Sequence, residues 1–177
     1  MKPLDIFAGL GVLLCWGLTF PIAKIGLTEL PPLTMITLRY GLTALLLAPL
    51  LRLPKQGFGL LILIAVALGG IHFPLMFSGV AGVDAAIAAI VMQTQSPFAV
   101  MLAMIILGER LTALRIFGLL IAFGGVALLA GEPAGQSSML HIAMLVISAV
   151  AWAVASLLIK RVVNIGVFQL NAWIALL

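Results

Sequence analysis

Residues 85 to 107 read AAIAAIVMQTQSPFAVMLAMIIL, 23 residues without a formal charge. A bilayer core about 30 Å thick needs about 20 apolar residues at 1.5 Å each, so this run is long enough to cross a membrane. Asp84 flanks it on one side, and Gly108, Glu109 and Arg110 on the other. Its centre is unusual, because Gln93, Thr94, Gln95, Ser96 and Pro97 fall together at the driest depth. Polar groups there are costly and turn toward the bundle interior or a watery cavity. Proline has no N–H, so in a regular helix Pro97 strips the carbonyl of Gln93 of its partner. Against lipid that is a fault, whereas on a cavity wall it supplies an acceptor. Each polar residue alone is read as interhelical packing. Four of them ahead of a proline predict a helix that carries part of a solute pathway.

The rest of the chain is of the same kind. Of 177 residues, 64% are hydrophobic and 8% charged, with a mean hydropathy of +1.35. Globular domains carry about 25% charged residues, so the chain is an integral membrane protein. Apolar runs predict six spans, at 6–26, 33–51, 58–78, 85–107, 113–130 and 139–159. Residues 167–177 begin a seventh, which reads as a fragment of a longer protein. The first run is too long for a signal peptide and lacks a clear small-residue cleavage site. The basic residues stand singly at helix ends, which argues against a nucleic-acid partner. Cys15 lies in an apolar run and is expected to pack.

Loop charge sets the orientation. With the N-terminus cytoplasmic, the inner side carries Lys2, Arg52, Lys55, Arg110, Arg115, Lys160 and Arg161. The outer loops carry Glu29, Asp84 and Glu132 and no Lys or Arg. That asymmetry follows the positive-inside rule and predicts a multi-pass protein of the cell's inner membrane. Lys24 and Arg39 remain, near the outer ends of spans one and two. Either can snorkel outward or bear on gating and charge, as can Lys160.

Other features qualify individual spans. Pro21 interrupts span one, with Thr19 nearby and Gly9 and Gly17 open to close neighbours. GGIHFP breaks span three. It holds His72, the one ionisable side chain well inside the membrane, read either as a bonded core histidine or as a pathway residue that handles protons. Gly118, Gly124 and Gly125 in span five, and Ala151 and Ala155 in span six, signal close packing. Thr112 is placed to cap span five beside a structural Glu109.

WGLTFPIAK (16–24) and WAVASLLIK (152–160) share Trp and Lys eight positions apart, at an offset of 152 − 16 = 136. Five spans per unit invert the second copy. That predicts inverted repeats with a solute site near the midplane, the first being residues 1–133 and the second beginning at 137–177. An in-plane axis would relate Lys24 to Lys160.

Several motifs coincide here. WGLTFPIAKIGL, then PP and LRY, resembles the first two spans of the EamA family of the drug/metabolite transporter superfamily. GVDAAIAAIVMQTQSPFAVMLAMIILGERLTALRIFGLLIAFGGVALL resembles its fourth and fifth spans with the LGERLT turn. The likeness covers roughly residues 6 to 161. MQTQSPF and HFPLMFSGVAG look most like exporters of O-acetylserine and cysteine. The resemblance implies an all-α transmembrane bundle of ten spans in two inverted five-helix repeats, with both termini inside. The first repeat is complete here and the second only begun. It also implies alternating access and export of small metabolites. Trp16, Lys24, Arg39, Gln93, Gln95, Glu109 and Lys160 sit inside the matching motifs.

The leading expectation is a secondary exporter of an amino-acid-like solute. Gln93 and Ser96, three residues apart on one helical face, are expected to contact it. Gln95 points about 200° from Gln93, so one glutamine at most should face the solute squarely. Trp16 and His72 complete the expected lining. The alternative is a non-transporting membrane half or scaffold that needs a partner chain. A second half or another copy is the partner expected besides solute and lipid. No mid-membrane carboxylate supports a small multidrug antiporter, and no phosphate-binding glycine motif suggests ATP drive. Enzyme chemistry is not expected: Ser78 and Ser96 have no histidine at recognisable spacing. His72 and His141 are too far apart in depth for a metal site, so neither cofactor nor metal is expected.

Overall fold

The computed structural model describes residues 3–51, 57–108, 112–131, 139–162 and 165–177. All regular elements among them are helical. In chain order they are α1 (Pro3–Glu29), α2 (Pro32–Leu47), α3 (Phe58–Ala65), α4 (Phe73–Ala81), α5 (Ala85–Met92), α6 (Gln95–Leu107), α7 (Ala113–Gly131), α8 (Met139–Ile159) and α9 (Val167–Leu176). A 3₁₀ turn, Ala48–Leu50, extends α2, and a π-helical segment, Val66–His72, joins α3 to α4. Five stretches are long and apolar enough to cross a membrane: Asp5–Glu29, Pro32–Leu50, Phe58–Ala81, Ala85–Ile106 and Met139–Ile159. The chain is an all-α transmembrane bundle. Lys2, Arg52, Lys55, Glu109, Arg110, Glu132 and the boundary expected at 133–137 lie outside the described residues.

Prolines act differently in each span. Pro32 opens α2 with Pro31 before it, a position where the missing N–H costs nothing. Pro21, expected to interrupt span one, does not end α1, which runs unbroken from Pro3 to Glu29. Membrane helices tolerate proline where neighbouring helices, hydroxyls, water or a local adjustment of the ladder re-satisfy the freed backbone groups. The Thr19 hydroxyl spends itself on its own helix, donating to the Cys15 carbonyl at 2.9 Å. Cys15, expected to pack, is exposed on α1. In span three the expected break is a widening instead. The Phe73 N–H reaches back five residues to the Leu68 carbonyl before α4 resumes. Pro74, which lacks an N–H, falls at the start of that new helix.

α8 lies in the middle of the bundle, packed on α4, α6, α5 and the π segment. Leu145, Ser148, Ala149, Ala153 and Ala155 are fully enclosed. Small residues let the backbones approach, which is how membrane helices associate without a hydrophobic driving force. The closest approach is at Gly79, where a Cβ would stand 2.6 Å from Leu145 Cγ, and at Gly82, where it would strike the His141 ring. The glycines expected to pack closely are not the ones that do. Gly9, Gly17, Gly118, Gly124 and Gly125 have open space where a Cβ would stand, because the inner helices meet on α4 and α8. A second core joins Leu61 and Ile64 of α3 to Leu170, Trp173 and Ile174 of α9.

Thr112 caps α7 as expected, its Oγ accepting the Arg115 N–H at 3.4 Å. Gly108 ends α6 at φ +68°, the left-handed region in which glycine carries no Cβ penalty.

Candidate functional site

The interruptions of spans three and four meet around one cavity of about 390 Å³. Trp16 of α1, Arg39 of α2, His72 of the π segment, Gln93 and Gln95 of the α5–α6 junction, and Trp152 of α8 all line it. Five separate segments of the chain therefore converge on this space. Its size falls within the range of small-molecule sites, about 300–1,000 Å³. Among the described residues, Arg39 is the one formally charged side chain on its wall, and no carboxylate joins it there.

The junction between α5 and α6 is a tight turn at Gln93 and Thr94. Both residues have ψ near zero, −16° and −15°. Their N–H groups bond three residues back, Gln93 to Ile90 and Thr94 to Val91, each at 3.1 Å. The Ser96 N–H reaches the Gln93 carbonyl at 3.2 Å. The carbonyl that Pro97 was expected to leave bare is thus satisfied by a shorter-range bond. This tightening also alters the side-chain directions. The rotation of about 200° between Gln93 and Gln95 assumes a regular helix, and here both side chains border the same cavity. Gln93 is exposed to it, whereas Gln95 is 4% exposed. Thr94 turns away, buried, and bonds the Val91 carbonyl at 2.6 Å.

His72 is anchored from α8. The Ser148 hydroxyl donates to the His72 carbonyl at 2.9 Å. With that proton committed, His72 Nδ1 is the donor toward the Ser148 carbonyl and hydroxyl oxygens, both at 2.9 Å. The bonding fixes the Nδ1–H tautomer and leaves Nε2 as an acceptor. The ring stacks edge-on with Phe73, centroids 4.6 Å apart. His72 is therefore both a bonded core histidine and a residue of the cavity wall.

Arg39 turns toward the cavity. Its guanidinium sits 4.1 Å from the centroid of the Phe73 ring, a cation–π contact. This holds the charge beside the cavity and leaves its N–H donors free of any ion pair among the described residues.

Lys24 is placed differently again. Its ammonium donates to the carbonyls of Val80 (3.1 Å), Ala81 (2.8 Å) and Val83 (2.7 Å). Those groups lie at and just beyond the C-terminal end of α4, where helix carbonyls lack partners and carry partial negative charge. All three of its donors are used, so Lys24 acts as a tie between α1 and α4.

Ser96 and Lys160 are not brought to the cavity. Both border a second cleft of about 440 Å³ with Arg115. Ser96 parts from Gln93 because it follows the turn. α5 packs on both α1 and α8, whereas α6 packs chiefly on α8, so a face shared along a straight helix is split here. Trp152 was not singled out as a site residue, although it pairs with Trp16 in the W-x7-K match. That match carried the signal.

A model of the EamA-like transporter family matches residues 4–131. Over 188 aligned positions the chain is 30% identical to a protein of Escherichia coli named "Probable amino-acid metabolite efflux pump". It is 29% identical over 184 positions to a Salmonella typhimurium protein of the same name. Each match covers 100% of this chain and 62% of the relative. A Bacillus subtilis protein named "Uncharacterized transporter YoaV" is 22% identical, over 93% of this chain and 60% of its own length. No solved structure matches the chain.

Proposed function

The chain belongs to the EamA-like transporter family, and from that premise we propose that its cavity holds an amino-acid-like solute on the way out of the cell. The solute class is O-acetylserine, cysteine and similar zwitterions, and the relatives named as amino-acid metabolite efflux pumps support it. The observation that carries the reading is the convergence of Trp16, Arg39, His72, Gln93, Gln95 and Trp152 on one space. Arg39 supplies the charge for the solute carboxylate, with a guanidinium suited to two parallel bonds. The amide oxygens of Gln93 and Gln95 accept from the ammonium, and the Trp16 and Trp152 ring faces attract it through their quadrupoles. His72 Nε2 accepts a third donor. Without a carboxylate on the wall, simple cations gain little there while carboxylates gain much.

In this reading access alternates between the two membrane faces by rocking of inverted repeats. The first repeat is residues 1–133 and the second begins at 137, with the N-terminus in the cytoplasm of an inner membrane. Trp16 and Trp152, at the repeat offset, then face each other's units across the site.

Purified chain in detergent is titrated with cysteine and O-acetylserine while tryptophan fluorescence is followed. Wild type should saturate, and Arg39→Gln should weaken binding at least tenfold while Arg161→Gln does not. Equal affinity in wild type and Arg39→Gln, or no saturable signal, overturns the assignment. Binding without flux in proteoliposomes would identify a half that works only with a partner chain.

A further inference from the structure

The cleft of about 440 Å³ that received Ser96 and Lys160 belongs to neither the solute cavity nor the core. It lies between α6, the start of α7 and the end of α8. Two cations border it, Arg115 in the first turn of α7 and Lys160 just past the end of α8. Both are exposed, and neither side chain makes a hydrogen bond or ion pair among the described residues. Among the described residues, no carboxylate lines the cleft. Lys160 differs in this from Lys24, which is saturated by carbonyls. Ser96 adds a hydroxyl. The remaining wall is apolar: Pro97, Ala99, Val100 and Ala103 on α6, and Leu119 and Gly118 on α7, the last with nothing within 4 Å of where a Cβ would stand.

We propose that this cleft binds an anionic phospholipid, its phosphate held by Arg115 and Lys160 and an acyl chain lying along Ala99, Ala103 and Gly118. Three physical points support that occupant. Both cations are at the ends of apolar helices, the depth at which phospholipid phosphates sit. Among the described residues no counter-ion borders these two cations, and a bound anion is attracted to both. Basic pockets between membrane helices select anionic headgroups over zwitterionic ones, where the choline cation opposes the protein's own charge. The apolar wall accepts an acyl chain, which a free phosphate does not need. On the proposed topology this is the cytoplasmic leaflet, which carries anionic lipid. The site stands independently of the solute reading, since none of its residues lines that cavity.

The test is native mass spectrometry of the purified chain with equimolar phosphatidylglycerol and phosphatidylcholine, alongside thermal unfolding with each lipid and with inorganic phosphate. Phosphatidylglycerol should be retained at least tenfold over phosphatidylcholine and should raise the unfolding temperature. Inorganic phosphate at millimolar concentration should not. The R115Q/K160Q double variant should lose the preference, and Arg39→Gln should keep it. Should the double variant not fold, Gly118→Leu decides: it fills open space and keeps both charges, and it should also lose retention. Equal retention of the two lipids, an undiminished preference in the double variant or in Gly118→Leu, or equal stabilisation by phosphate alone would each overturn the proposal.

Discussion

Ser148 and His72 hold each other from both ends. The serine hydroxyl donates to the His72 carbonyl at 2.9 Å, and His72 Nδ1 reaches the serine carbonyl at 2.9 Å. The exchange links α8 to the π-helical segment of span three, where the ladder is widest. Ser148→Ala removes the hydroxyl but leaves the imidazole its bond to the backbone carbonyl. The loss should be about 0.6–1.5 kcal/mol, the range for one interhelical bond. Thermal or denaturant unfolding in detergent measures it. An unchanged midpoint would mean that the hydroxyl bond contributes nothing net.

Lys24 makes three bonds rather than one, all to carbonyls at the end of α4. Lys24→Met keeps the stem length and removes every donor. The three carbonyls are then left unpaired beside a helix C-terminus, so the expected loss is larger, about 2–3 kcal/mol. Lys160→Met, at the matching position of the W-x7-K pair, should cost little, because no carbonyl receives it among the described residues. Equal losses in the two variants would contradict the difference in their surroundings.

Gly79 and Gly124 predict opposite outcomes for the same substitution. In Gly79→Ala the new methyl meets Leu145 Cγ at 2.6 Å, and Leu145 is fully enclosed and cannot retreat. Overpacking of this kind costs about 1–3 kcal/mol. Gly124→Ala enters open space and should be neutral or slightly stabilising, since alanine favours a helix by up to about 1 kcal/mol. Paired unfolding curves test the contrast.

The three tryptophans separate binding from stability. Trp16 and Trp152 border the cavity, whereas Trp173 is packed edge-on against Phe58 with centroids 5.6 Å apart. Trp16→Ala and Trp152→Ala should each weaken solute binding severalfold with modest change in stability. Trp173→Ala should cost about 3–5 kcal/mol, as for a buried aromatic, with the solute affinity of the folded fraction intact. A binding isotherm beside an unfolding curve for each variant reads both effects.

Much of this arrangement was legible in the residues. The break at Gln93–Thr94 was marked by four polar residues ahead of Pro97, and the disturbance of span three by GGIHFP. Thr112 announced its cap. Trp16 and Trp152 both stand in the W-x7-K match, but a sequence match says nothing about which side chains face inward, and that both border the cavity came from the packing. The glycines misled. Those of span five looked like a packing face, yet the tight contacts formed at Gly79 and Gly82, whose partners Leu145 and His141 lie some sixty residues away in the chain.

Hydropathy sums locally, residue by residue, so the sequence by itself determined that the chain spans a membrane, roughly where each helix begins, and at what depth polar groups fall. Which of those groups share a space is not a local property. It depended on the 3₁₀ tightening at Gln93 and Thr94, the π segment that turned His72 toward Ser148, and the helices on which each half of span four came to rest. Ser96 and Gln95 exchanged their expected places for that reason, and only the packing of α1, α5, α6 and α8 could decide it.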